Sequence, residues 1–109
     1  MKNKTKYAGR CGVDSGQIMV IDPCYAFDDN FNGTDGTPTG GNYDAICRVS
    51  LADMFGEFPL PANGYSGNVG VVTSSGYGDG NYPVYVQVND DNRVVALHIY
   101  FDGMELDYA

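Results

Sequence analysis

The 109 residues contain no tryptophan, one histidine, and six lysines and arginines against fourteen aspartates and glutamates. Each scarcity narrows the function. With His98 alone, nucleophilic catalysis rests on a single Cys–His or Ser–His encounter, such as Cys24 with His98. The three cysteines, Cys11, Cys24 and Cys47, offer no C-x-x-C spacing, so a zinc site is not indicated. Their odd number, with no secretion signal, predicts reduced thiols. No apolar run reaches the length of a membrane span, and none follows a basic N-terminus as a signal peptide's would. The expected location is therefore the cytoplasm.

Basic residues are not only few but gathered at one end. Lys2, Lys4, Lys6 and Arg10 precede every acidic residue, and from residue 11 onward two basic residues face fourteen acidic ones, a net −12. Such a body repels phosphate backbones and anionic membranes, which excludes both as expected partners. Basic proteins, cations or a second copy of the chain suit it better. Acidity of this kind also serves simple solubility.

What the chain has in plenty is glycine and tyrosine, fifteen and nine residues. Together they predict many turns joining half-buried strands. Residues 1–6 read as a flexible basic lead-in and 7–109 as a single β-rich domain. Ala8–Val13 and Gln17–Asp22 are predicted strands around an Asp14-Ser15-Gly16 turn. The apolar residues of the second strand fall on both faces, which suits a central position, and Pro23 ends it. Residues 27–42 form a long polar loop. Tyr43–Val49 is predicted as a strand and Ser50–Gly56 as one short helix capped by Ser50, with Phe58-Pro59-Leu60-Pro61 as an extended connector. Asn68–Ser74, Tyr82–Val88 and Val94–Phe101 complete the strands. The last two form a hairpin around Asn89-Asp90-Asp91-Asn92, with Val84, Val86, Val88, Val95, Leu97, Ile99 and Phe101 inward and Tyr85, His98 and Tyr100 on the opposite face. The fold class is mainly β: a small antiparallel β-sandwich or partly open barrel with one short helix. An α+β arrangement, with the helix over a sheet face, is the alternative.

Gly12-Val13-Asp14-Ser15-Gly16 with Asp22, and Ser75-Gly76-Tyr77-Gly78-Asp79-Gly80-Asn81-Tyr82-Pro83-Val84-Tyr85, resemble two signatures of a bacterial family catalogued only as a domain of unknown function. Its members look like "VD-x-G … D" early in the chain and "SG-W/Y-GDG-x-YP" before a closing hairpin. The resemblance extends to short proteins that look common among bacteriophage and mobile-element sequences. The resemblance covers about a third of the chain, and this chain is shorter than typical members. It implies no activity.

Several groups of residues carry candidate chemistry. Asp14, Asp22 and Asp79 could converge to hold a divalent cation or to act as acid and base, although aspartate in turns also bonds its own backbone. Ser74–Gly80 has the glycine content of an anion nest but lacks the Lys-Ser/Thr pair and helix of a P-loop, and Asp79 repels phosphate. Asp28, Asn30, Asn32 and Gly33 match the opening of an EF-hand loop, but its twelfth position falls on Thr39 instead of glutamate. Tyr77, Tyr82, Tyr85 and Tyr100 could form an aromatic patch for a partner or a stacking ligand, or could pack across strands.

The leading expectation is a non-enzymatic binding module with no cofactor, contacting a protein partner or small ligand through Tyr77, Asp79, Tyr82, Asp14 and Ser15. A phage-encoded inhibitor masking a basic host surface is one form, and sequestration of a small signalling nucleotide is another. The alternatives are a metal-assisted hydrolase built on the three aspartates and a self-associating structural β domain that forms a homo-oligomer.

Overall fold

A computed structural model of the chain describes residues 3–26, 42–59 and 68–108. In chain order the elements are β1 (Lys4–Val13), β2 (Gln17–Ile21), α1 (Pro23–Ala26), α2 (Asn42–Asp53), β3 (Phe55–Pro59), β4 (Asn68–Ser74), β5 (Gly80–Val88) and β6 (Val94–Ile99). The fold is mainly β. Its strands form two antiparallel three-stranded sheets, β1-β5-β6 and β2-β4-β3, and neither closes into a barrel. Two compact units contain them: residues 1–16 with 75–109, and residues 17–74. The stretch expected as the 27–42 loop, with its EF-hand-like opening, lies outside the described residues up to position 41.

In the unit of residues 17–74, α2 packs against the sheet through Ile46, and a core of Ile46, Phe58 and Val72 forms with Ile21, Tyr25, Val49 and Val69 around it. Two glycines let the layers approach. A Cβ on Gly70 would run into the Phe58 ring, whose Cε1 and Cε2 would lie at 2.8 and 3.0 Å, and a Cβ on Gly56 would sit 2.7 Å from Val49 Cγ1. Glycine is thus required at both positions by close approach.

Four expectations are corrected in this unit. Tyr43–Val49 is not a strand but the first two turns of α2, which runs on to Asp53. Ile46 and Val49, three residues apart, bring one face of that helix to the sheet, and short apolar runs do not distinguish helix from strand by composition. Ser50 does not cap a helix start. It lies in the last turn, donating to Cys47 O at 3.1 Å and to Gln17 Oε1 at 2.5 Å. The helix ends at Met54, which takes the left-handed conformation (φ 71°) usually given to glycine, and whose carbonyl accepts Ser74 N–H at 2.6 Å. Phe58-Pro59 belongs to β3 rather than to a connector. Finally, β2 is an edge strand rather than a central one, and this explains why its apolar residues do not all find cover: Val20 and Met19 remain exposed.

The unit of residues 1–16 and 75–109 begins earlier than expected, because Lys4 already pairs with Val88 and Lys6 with Val86. Residues 4–6 are therefore part of a sheet and not of a frayed lead-in. The β5–β6 hairpin forms as anticipated. Asn89 organises its turn, its Oδ1 accepting from the N–H groups of Asp91 and Arg93, both at 3.0 Å. Its faces are used differently from the expectation. Of the residues expected inward, Val95 and Leu97 are exposed and Val84, Val86, Val88, Ile99 and Phe101 half-buried, whereas Tyr85 on the opposite face is 2 % exposed. Part of the cover on Tyr85 comes from β1. A bulge between Tyr7 and Gly9 shifts the register, so Tyr7 pairs with Tyr85 while Gly9 pairs with Val84. Tyr7 then covers Tyr85 edge-on, with ring centroids 5.8 Å apart.

Candidate binding site

Five glycines lie within the two segments 12–16 and 75–80, and three of them, Gly16, Gly76 and Gly78, have φ of 69°, 72° and 92°. These are conformations an L-residue adopts only under strain. β1 and β5 end together, with Val13 opposite Gly80 and Gly12 opposite Asn81, so the turn leaving β1 and the turn entering β5 emerge side by side. They are joined directly. Gly16 N–H donates to Asp79 Oδ1 at 2.9 Å, across 63 residues of sequence, and Ser75 N–H donates to Gly16 O at 3.0 Å.

The second turn is braced from within. Gly78 O accepts two hydroxyls, Ser75 Oγ at 2.6 Å and Tyr82 Oη at 2.7 Å, which fills both of its lone pairs. Tyr77 N–H donates to Ser75 O at 2.7 Å. Ser75 is completely buried, and the bond to Gly78 O offsets the cost of removing its hydroxyl from water. Tyr82 is buried beside Phe101, edge-on at 5.0 Å and 89°. The outcome is a tight platform from which one side chain projects: Tyr77 is 78 % exposed.

The residues named from sequence thus separate by role. Asp14, Ser15, Tyr77, Asp79 and Tyr82 do belong to one neighbourhood. Within it Tyr82 and Asp79 brace the turns, Asp14 and Ser15 are exposed on the first turn, and Tyr77 is presented. Asp22 lies in the other unit, where its carboxylate accepts Cys24 N–H at 2.9 Å and its carbonyl accepts the N–H groups of Tyr25 and Ala26 at the start of α1. Among the described residues no group of three or more His, Cys, Asp or Glu could hold a metal ion. Of the backbone N–H groups in the Ser74–Gly80 segment expected as an anion nest, those of Ser74, Ser75 and Tyr77 are given to the carbonyls of Met54, Gly16 and Ser75.

The four tyrosines expected as one patch do not form one. Tyr82 and Tyr85 are three apart on a strand and so point to opposite faces, a parity the sequence already contains. Tyr85 instead joins Tyr7, Tyr100 and Tyr108, two of which sequence reasoning missed because they lie outside β5 and β6. His98 stacks parallel to Tyr100 at 6.2 Å, a packing role on that face. The three cysteines are free thiols. Cys47 Sγ accepts from Gln17 Nε2 at 3.0 Å, so it is part of a polar knot with Gln17 and Ser50 that ties α2 to β2.

No helix among the described residues is long and apolar enough to cross a membrane. No curated protein and no solved structure matches the chain. One family does, and its match spans residues 12–99, from the end of β1 to the end of β6, taking in both glycine-rich turns. The chain therefore belongs to the family described as "Protein of unknown function (DUF4241)".

Proposed function

We propose that this domain is a non-enzymatic binding module that engages its partner stoichiometrically, with Tyr77 as the anchor. The observation that carries the proposal is the contrast between Tyr77 and its surroundings. Tyr77 is 78 % exposed, while the residues beside it are committed to bracing the turn that holds it. A large aromatic with two side-chain torsions, held on a pre-ordered loop, loses little entropy on binding, and such residues dominate interface energies. A catalytic turn would instead leave its polar groups available to a substrate.

The partner class follows from charge. Asp79 lies two residues from the anchor, Asp14 is exposed on the turn bonded to Asp79, and the body beyond residue 10 carries a net −12, so a basic protein surface in the cytoplasm is the favoured target. A phage- or mobile-element-encoded inhibitor of a host protein is the concrete form this takes. A small anionic ligand such as a nucleotide is disfavoured by the same field.

Native mass spectrometry of the chain, gently purified from the cell that makes it, tests the proposal. The wild type is expected to carry a defined partner mass at fixed stoichiometry, and Tyr77→Ala to lose it while keeping its melting temperature. Retention of that mass by Tyr77→Ala would overturn the proposal.

A further inference from the structure

Beyond β6 the described residues form no helix or strand, yet residues 104–108 do not lead away from the domain. Tyr108 stacks on Tyr7, with centroids 5.3 Å apart and planes at 26°, and lies 6.2 Å from Tyr85. Tyr7 and Tyr85 are themselves 5.8 Å apart. The three rings form a closed triangle, and Tyr100 with His98 extends it along the same face. The face is thus a row of aromatic rings whose outer place is filled by the chain's own tail.

The tail's hold is slight. Among the described residues no backbone hydrogen bond ties 105–108 to the sheet, and the last bond before them is Met104 N–H to Asp102 Oδ1, within the turn. Glu105 and Asp107 are exposed, Leu106 is half-buried, and Tyr108 is 58 % exposed even while stacked. The turn itself pivots on Gly103, at φ 84°. Withdrawal of the segment would remove one of the three rings packed around Tyr85 and the ring stacked on Tyr7, leaving an aromatic strip open to another occupant.

We infer that the Tyr7–Tyr85–Tyr100 face is a docking surface for an extended peptide segment bearing a tyrosine or phenylalanine, and that residues 104–108 occupy it in cis as a releasable strap. The chemistry of the occupant is read from the segment seated there: residues without helix or strand that lay one aromatic ring on Tyr7. A second copy's tail is not the intended occupant. The short connection through Gly103 gives the cis tail a millimolar effective concentration, which an identical tail at micromolar concentration does not match. A foreign segment with additional contacts does. The strap then lowers the apparent affinity by the fraction of time it leaves the face open. This surface is separate from Tyr77, and its test does not depend on that reading.

The experiment is a titration of the isotope-labelled full chain with a synthetic hexapeptide of residues 104–109, followed by NMR shifts at Tyr7, Tyr85, His98 and Tyr100. Tyr108→Ala is expected to bind the peptide about two- to tenfold more tightly than wild type, the range an aromatic pair contributes. Tyr108→Phe should behave as wild type. Equal binding by Tyr108→Ala and wild type, absence of binding to either, or self-association of Tyr108→Ala in place of peptide binding would overturn the inference. A second measurement stands even if Tyr108→Ala does not fold. Excess peptide added to the wild type should move the Tyr108 ring resonances toward their free values, and unmoved resonances would overturn the inference.

Discussion

The two units of this chain hold themselves together by different means. In residues 17–74, a helix and a sheet close on hydrocarbon: Ile46, Phe58 and Val72, with Gly70 and Gly56 letting the layers meet. In residues 1–16 and 75–109, tyrosines are buried edge-on and two turns are laced by backbone and hydroxyl hydrogen bonds. Hydrocarbon packing is non-directional, whereas hydrogen bonds fix the orientation of the groups they join. The unit that presents Tyr77 is the one built from directional contacts. Stability and presentation are thus divided between the units.

This division can be broken from either side. Phe58→Ala is expected to have the largest effect on stability, about 3–5 kcal/mol, because it empties the centre of the hydrocarbon core. Hydrogen exchange should show lost protection first in β3 and β4. Gly70→Ala follows at about 1–3 kcal/mol, since the new methyl meets a fully buried ring that has nowhere to go. A chemical denaturation series measures both. In the other unit, Ser75→Ala removes one of the two hydroxyls on Gly78 O and is expected to cost about 1 kcal/mol. Its more telling effect is faster amide exchange across 75–79. Tyr77→Ala is expected to change stability by less than about 0.5 kcal/mol, as an exposed residue should, while abolishing partner binding. A Tyr77→Ala variant that melted several degrees lower would show that the ring supports the turn instead of being presented by it.

How much of this was legible in the sequence follows the same boundary. The β5–β6 hairpin was readable because strict alternation and an Asn-Asp-Asp-Asn turn point to one answer, and mainly β was the right class. Helix α2 was not, since Ile46, Cys47 and Val49 are common in strands and the helical signal resides only in the spacing of Ile46 and Val49. The burial of Tyr85 was not legible, because part of its cover comes from Tyr7 and Tyr108, both remote from the hairpin in sequence or outside its strands. At the site, the glycines of both turns were evident, and their union was not. The bond from Gly16 to Asp79 spans 63 residues, and only the pairing of β1 with β5 brings its ends together. Burial then assigned roles that residue type could not: Tyr77 and Tyr82 are chemically identical, and one is the anchor while the other is a brace.

The most direct test places a photo-crosslinking aromatic residue in the full chain, once at Tyr77 and once at Phe55, which is 61 % exposed in the other unit. The two probes are comparably accessible and differ in whether a hydrogen-bonded turn presents them. Irradiation in the cell that makes the protein is expected to give one discrete crosslinked species from position 77 and none from position 55. A discrete product from position 55, with none from 77, would contradict the account.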